Sequence, residues 1–204
     1  MTRWPAVVRA ELPSGTVVTL RPLQRTDRAA WDRMRREEAG WLRPWEATLP
    51  GGSGPPAPFR RVRRDLERAA RRGEILPFAI DVDGRLAGQM HLFDIVWGSR
   101  HTGTAGYWLS RAATGRGVAT WGLAMLIDFS IREAGLHRVE VNVRPENERS
   151  LAVVRRLGLR EEGLRRGLVH VDGQWRDHLG FAITAEELPP GGLTGMLRER
   201  AADH

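Results

Sequence analysis

Between Gly106 and Leu159 an apolar strand ending Gly106-Tyr107-Trp108-Leu109 runs into Thr114-Gly115-Arg116-Gly117-Val118-Ala119 and then directly into a long apolar helix. That layout builds an anion cradle. Gly115 and Gly117 let the backbone turn sharply and bring bare N–H groups close to a ligand. The first helical turn adds unpaired donors and the positive end of the helix dipole. A pyrophosphate suits such a cradle. The spacing matches neither the dinucleotide-fold fingerprint nor a Walker loop, because no Lys-Ser or Lys-Thr follows the last glycine, and this argues against a nucleoside triphosphatase.

The flanking chain reads as alternating strands and helices. Val17 to Arg21 is a strand, and Thr26 is placed to cap a helix running from Asp27 to about Gly40. The segment 51–58, rich in Gly and Pro, is a loop between two helices. Phe78, Ile80 and Val82 alternate with polar or small residues, and Asp83-Gly84 turns the chain into a partner strand from Leu86 to Ile95. Thr102 to Leu109 is the next strand, followed by a mostly buried helix from Val118 to about Ala134 with Gly135 as its stop. Val139 to Val143 is a further strand. Asn147 caps a short helix whose Leu151, Val154 and Leu157 face the core and which ends at Gly158. Leu164 to Val171 and Trp175 to Ile183 form a second hairpin around Asp172-Gly173. After Pro189-Pro190-Gly191-Gly192 the chain is either a short helix or a frayed tail.

Composition bounds what this framework can do. At 204 residues, 41% hydrophobic and 28% charged, the chain suits one domain, with a core over about residues 16–184 and a tail over 185–204. It has no cysteine, so thiol chemistry and thiolate metal sites are ruled out, and its six histidines are scattered, so no metal site is expected. No run of about 20 apolar residues and no signal-peptide core is visible, which makes the cytoplasm the expected address and a membrane association unexpected. The formal charge is +7, and all 32 Lys+Arg positions are arginine. Arg60, Arg61, Arg63, Arg64, Arg68, Arg71 and Arg72 crowd one helix. That face is open to two readings, a solvated helix surface or a contact for an RNA backbone, a ribosomal surface or cofactor phosphates. No stacking motif or zinc finger points to a dedicated nucleic-acid module, DNA included.

Taken together, Gly106-Tyr107-Trp108-Leu109, the loop Gly115-Arg116-Gly117-Val118-Ala119, the strand Val139-Glu140-Val141-Asn142-Val143, and Asn147-Glu148-Arg149-Ser150 closing at Leu157-Gly158-Leu159 resemble the GNAT acetyltransferase superfamily. Within it they are most similar to the RimJ/RimL branch of ribosomal-protein N-terminal acetyltransferases. The resemblance extends from Thr19-Leu20-Arg21-Pro22-Leu23 to Phe181-Ala182-Ile183. It implies an α+β fold: a central mixed, mostly antiparallel sheet of about seven strands flanked by helices, splayed between the fourth strand, ending at Leu109, and the fifth, Val139 to Val143. It also implies acetyl-coenzyme A as cofactor. Trp108, Leu109 and Arg111 would then edge the pantetheine site. Thr114, Gly115, Arg116, Gly117, Val118 and Ala119 would hold the pyrophosphate, with Asn142 and Asn147 nearby. Thr114 stands where the family commonly has Gln or Arg, a departure expected to alter phosphate contact without abolishing it.

The same resemblance places Ser150 near the thiol, where its hydroxyl would protonate the departing thiolate. A tyrosine that many relatives use in the short helix is replaced here by Val154. Direct transfer also requires a neutral amine and an acceptor for its proton. A free α-amine with a pKa near 8 is only about a tenth neutral at pH 7. Two carboxylates compete for that role: Glu74, two residues before the position where relatives carry an acid, and Glu46 in Leu42-Arg43-Pro44-Trp45-Glu46, with Trp41 and Trp45 lining the peptide groove. The implied reaction is N-acetylation of a protein or peptide α-amine, with a ribosomal protein as one acceptor and ribosome contact through the arginine helix. A monomer or homodimer is expected. Two alternatives stay open: N-acetylation of a small amine such as an aminoglycoside, polyamine or amino acid, and a non-catalytic acyl-coenzyme A sensor or RNA-binding module.

Overall fold

A computed structural model describes residues 4–52 and 56–203. Eight strands form one sheet in the order β1-β2-β3-β4-β5-β6-β8-β7. They are β1 (Val8–Glu11), β2 (Val17–Pro22), β3 (Leu76–Val82), β4 (Arg85–Val96), β5 (Thr102–Leu109), β6 (Arg138–Val143), β7 (Arg160–Val171) and β8 (Gln174–Thr184). All neighbours are antiparallel except β5 and β6. The strand beyond the expected seven is β1, a four-residue edge strand whose only buried residue is Ala10, too short to carry a readable alternation.

Helices cover both faces. On one side lie α1 (Arg28–Glu37), α2 (Ala39–Leu42) and α3 (Phe59–Arg71), where Trp31 and Phe59 pack with Leu23 and Ala79. On the other lie α4 (Val118–Arg132), α5 (Glu148–Arg156) and α6 (Gly192–Ala202). Of these, α4 is buried on nearly every side, as its scarcity of charge dictates. Gly122 lets it approach the sheet: a Cβ there would sit 3.2 Å from Met90 Cε. Because β3 lies between helices on both faces, all seven of its residues are buried, and its alternation does not mark a solvent side.

The two hairpins turn at Asp83-Gly84 and Asp172-Gly173, and all four residues have positive φ, the conformation two-residue hairpin loops require. The first helix begins differently from the sequence expectation. Gln24, not Thr26, opens a 3-10 turn in a capping box with Asp27, and α1 follows from Arg28 to Glu37. Asp27 is drawn into this role by Arg21, whose guanidinium holds Asp27 at 2.8 and 2.9 Å and Asp81 at 3.0 Å. The loop expected over 51–58 falls partly on residues 53–55, outside the described residues. The C-terminal stretch is a helix: α6 buries Leu193 and Leu197 and packs on α4. Among the described residues no helix is long and apolar enough to cross a membrane.

Candidate active site

The parallel β5–β6 pairing runs only from Thr102↔Arg138 to Ala105↔Val141. Past that point β5 stays bonded to β4 through Leu109, and β6 stays bonded to β8 through Val143, so the two strands part. Gly106–Leu109 and Asn142–Val143 therefore present backbone polar groups to an opening in mid-sheet. A cavity of about 540 Å³ fills this opening, lined by Tyr107, Asn142, Asn147, Ser150 and His178 among others. A neighbouring cavity of about 400 Å³ reaches under α1 and α2, lined by Arg35, Trp45, Glu46, Gln89, His91 and Trp108. Both are bordered by Trp45, Phe93, Gly106 and Tyr107.

At the end of β5 the chain makes one 3-10 turn, Arg111–Ala113, and enters the glycine loop. Thr114 donates its hydroxyl to the Arg111 carbonyl at 2.7 Å. Gly115 and Gly117 have φ of 75° and 77°. Gly117 is the N-cap of α4, so no side chain competes for the first-turn amides. An anionic group fits this cradle because its donors are main-chain N–H groups at a helix start. Val118 is buried in the core, and Ala119 packs against it. The Arg116 guanidinium reaches away to Asp83 and Thr16, at 3.5 and 3.3 Å. Arg111 lies over the Trp41 ring at 5.1 Å, with Arg149 over the same ring at 4.5 Å. Trp41 Nε1 donates to the Leu109 carbonyl at 3.3 Å, occupying one of the edge groups. The Trp108 side chain points to α1, edge-on to Trp31, so only its backbone borders the splay.

Asn147 caps α5 by accepting the Ser150 amide at 3.2 Å. Such a cap contributes about 1 kcal/mol to the helix and fixes the serine's backbone. Ser150 Oγ in turn accepts a hydrogen bond from Tyr107 Oη at 3.3 Å. Burial raises the Tyr107 pKa, with the Ser150 bond opposing it, so the phenol stays protonated and donates. Tyr107 is the chain's single tyrosine and stands in the quoted motif, yet its partner is 43 residues away, so no local spacing reveals the pair. Asn142 Oδ1 is buried in the same region with no hydrogen-bond partner among the described residues.

The two carboxylates expected to take the amine proton are placed apart and are both occupied. Glu74 lies in the exposed turn between α3 and β3, lines neither cavity, and gives both oxygens to Arg72, at 2.6 and 2.7 Å. This hydrogen bonding lowers its pKa. Glu46 does line the smaller cavity, but both of its oxygens accept from Arg35, one of them at 3.0 Å. Glu140 borders the larger cavity; burial alone would raise its pKa, but Arg138 and Arg165 outweigh burial and hold it ionised.

Two histidines that the sequence leaves as scattered residues also face these cavities. His91 on β4 has a sealed Nε2 with no hydrogen-bond partner among the described residues, and burial pulls its pKa down to about 4. His178 on β8 is 7% exposed, and its Nδ1 lies 3.1 Å from the Arg176 carbonyl.

The wall facing the splay is assembled from distant segments. Ala47 bridges to Val171, the Thr48 amide donates to the His170 carbonyl at 2.8 Å, and Arg43 pairs with Asp172 at 2.7 Å. Arg144, after β6, donates to the Pro44 carbonyl at 2.6 Å and lies over the Trp45 ring. The segment after α2 is thus strapped to the β7–β8 hairpin.

The acetyltransferase (GNAT) domain family matches residues 18–160. The solved structure of Mycobacterium smegmatis RimJ in complex with CoA-disulfide superposes with a TM-score of 0.89 at 39% identity, covering 97% of this chain and 95% of that one. The [ribosomal protein uS5]-alanine N-acetyltransferase of Escherichia coli (strain K12) is 29% identical over 189 residues, 90% of this chain and 97% of that protein. The Bacillus subtilis (strain 168) protein named "Probable N-acetyltransferase YjcK" is 38% identical over 101 residues, and the match spans 56% of its length.

Proposed function

The chain belongs to the GNAT acetyltransferase family and takes its acetyl group from acetyl-coenzyme A, and we propose that it delivers this group to the N-terminal α-amine of a protein, with ribosomal proteins as the acceptor class. The observation that carries the choice of acceptor is the charge of the acceptor side. Its cavities are open and walled by Trp45 and Phe93; Glu46 and Glu140 are neutralised by arginines, and the one other lining carboxylate among the described residues, Asp94, is exposed on β4. A polyamine or aminoglycoside needs unpaired carboxylates in its pocket. A peptide N-terminus needs a groove, aromatic contact and a place to lose a proton. The name of the Escherichia coli relative, a ribosomal-protein-alanine N-acetyltransferase, supports the same acceptor class.

In this reading the main chain of Gly115 to Ala119 holds the pyrophosphate, with Thr114 stiffening the loop. The edges at Trp108–Leu109 and Asn142 border the pantetheine arm, with Arg111 beside them. Bound acetyl-coenzyme A supplies the activated thioester carbonyl. Asn147 sets the Ser150 backbone, and Ser150 gives its proton to the leaving thiolate. Tyr107 donates a hydrogen bond to Ser150 and relays a solvent proton to it after transfer. The exposed Arg60, Arg61, Arg64 and Arg68 of α3 provide a basic face for a ribosomal surface, and the groove stays free for the acceptor chain.

The test is a panel of peptides beginning with Ala, Ser, Thr or Met, together with spermidine and an aminoglycoside, incubated with acetyl-coenzyme A and the pure protein. Thiol release with acetylated peptide α-amines is the expected result. Release with the small amines alone would transfer the function to them, and cofactor binding with no release on any amine would leave a sensor.

A further inference from the structure

Glu140 in the cavity that contains Ser150 and Glu46 in the neighbouring one are held in arginine pairs, and Asp94 is exposed on β4; among the described residues His178 is the imidazole that lines the Ser150 cavity, and no ion pair occupies it. The backbone settles its tautomer. A carbonyl oxygen can only accept, so the contact with Arg176 requires His178 Nδ1 to carry the hydrogen. Nε2 is left with its lone pair, has no hydrogen-bond partner among the described residues, and belongs to a ring that lines the cavity.

Strand geometry fixes where that ring stands. His178 immediately precedes Leu179 and Gly180, which pair with Val143 and Asn142. Leu179 and Phe181 pack toward the core, so His178 and Gly180 face the opposite side of the sheet, toward the groove. Gly180 has no side chain to crowd this face; a Cβ there would meet Arg165 Nε at 2.9 Å. The cavity in the splay therefore has Ser150 on its α5 side and His178 on its groove side, so that different groups are available to the sulfur and to the amine.

We infer that His178 is the general base of the reaction, receiving the acceptor amine's proton at Nε2, directly or through one water. As the amine nitrogen bonds to the thioester carbonyl carbon, the C–S bond breaks. One proton leaves the nitrogen for His178, and one reaches the sulfur from Ser150. His178 returns its proton to solvent, and Ser150 recovers one from solvent by relay through Tyr107, so the site ends with its starting charge. The inference rests on amine acetylation but on neither choice of amine.

Burial, more than the charged groups around it, favours the neutral form of His178. Burial is the largest influence lowering its pKa below 6.5, and the Arg144 charge adds to it; the Arg176 carbonyl, Glu146 and Asp177 oppose. Arg165 stands opposite on β7, ion-paired with Glu140 at 2.9 Å. His91, in the smaller cavity, is a poorer base because burial without any partner holds it at about 4.

The experiment is kcat at saturating acceptor against pH for wild type and His178→Gln, with an Ala-initiated hexapeptide as acceptor, so that ionisation of the free peptide amine does not enter the profile. Wild type should lose activity as pH falls through a pKa below 6.5. His178→Gln should lose about 10²- to 10³-fold at neutral pH, lack that acidic limb and bind acetyl-coenzyme A within about twofold of wild type. A limb that persists in the variant, or a loss under about threefold, overturns the assignment; a residue with only a structural role would lower the rate and leave the limb. Should His178→Gln fail to fold, ¹⁵N NMR of wild-type imidazoles decides. The expected result is an Nδ1–H tautomer for His178 titrating with the limb, and a mismatch overturns the proposal. If the peptide is not turned over, the α-amine reading fails, and the same profiles with spermidine then judge His178.

Discussion

The half of the molecule that faces the cofactor and the half that faces the acceptor are built in opposite ways. In the proposed reading, the cofactor half runs almost unbroken from Gly106 to Leu159 and works through main-chain groups: the parted β5 and β6 edges, the glycine loop and two helix N-termini. The acceptor half draws Trp45 from after α2, His91 from β4, Arg144 from after β6 and His178 from β8, and works through side chains. The contrast shows why one scaffold keeps its donor while its acceptor varies. A backbone cradle is specified by a few glycines and a strand register, whereas a side-chain groove can be rewritten one residue at a time.

That contrast predicts which kinetic parameter each substitution moves. The largest effect lies at the junction of the halves. Ser150→Ala should lower kcat by about 10²-fold and leave acetyl-coenzyme A affinity intact, as isothermal titration would read; wild-type turnover would remove Ser150 from the chemistry. Next comes Gly117→Val, which forces a β-branched residue into a left-handed backbone. A cost of about 1–2 kcal/mol should raise the KM for acetyl-coenzyme A roughly tenfold with little change in acceptor KM. Kinetics unchanged in acetyl-coenzyme A would sink the phosphate-loop assignment. The smallest effect belongs to the acceptor wall: Trp45→Ala should raise peptide KM about five- to tenfold and leave the KM for acetyl-coenzyme A where it was. If Trp45→Ala weakened the cofactor instead, the division into halves would be broken.

Local signals were legible wherever the physics is local. Asp83-Gly84 and Asp172-Gly173 announce hairpins because adjacent positive-φ residues suit no other element, and both turns form there. Asn147 announces a helix start because its side chain needs only the amide three residues on. The first helix shows the limit. Thr26 is a good cap by composition, but Arg21 pins Asp27 through Asp81 from β3, 60 residues away, and the helix starts where Asp27 is held. Glu46 and Glu74 look like free acids in the sequence because nothing there reveals that Arg35 and Arg72 take both oxygens of each.

The sequence by itself determined the strand–loop–helix cradle, the two hairpins, the apolar α4 and the absence of thiol chemistry, since each depends on backbone preferences or composition over a few residues. Only the tertiary structure decided which side chains meet. Asp128 of α4 caps α6 through the Leu193 and Thr194 amides, at 2.8 and 3.0 Å. Tyr107 finds Ser150, and His178 receives its tautomer from a backbone carbonyl of its own strand while facing a cavity made by other strands. These contacts join groups that are distant in sequence or that acquire meaning only at a cavity formed by distant strands. Their chemistry becomes defined when the sheet register and the packing of both helical layers bring them within hydrogen-bond reach.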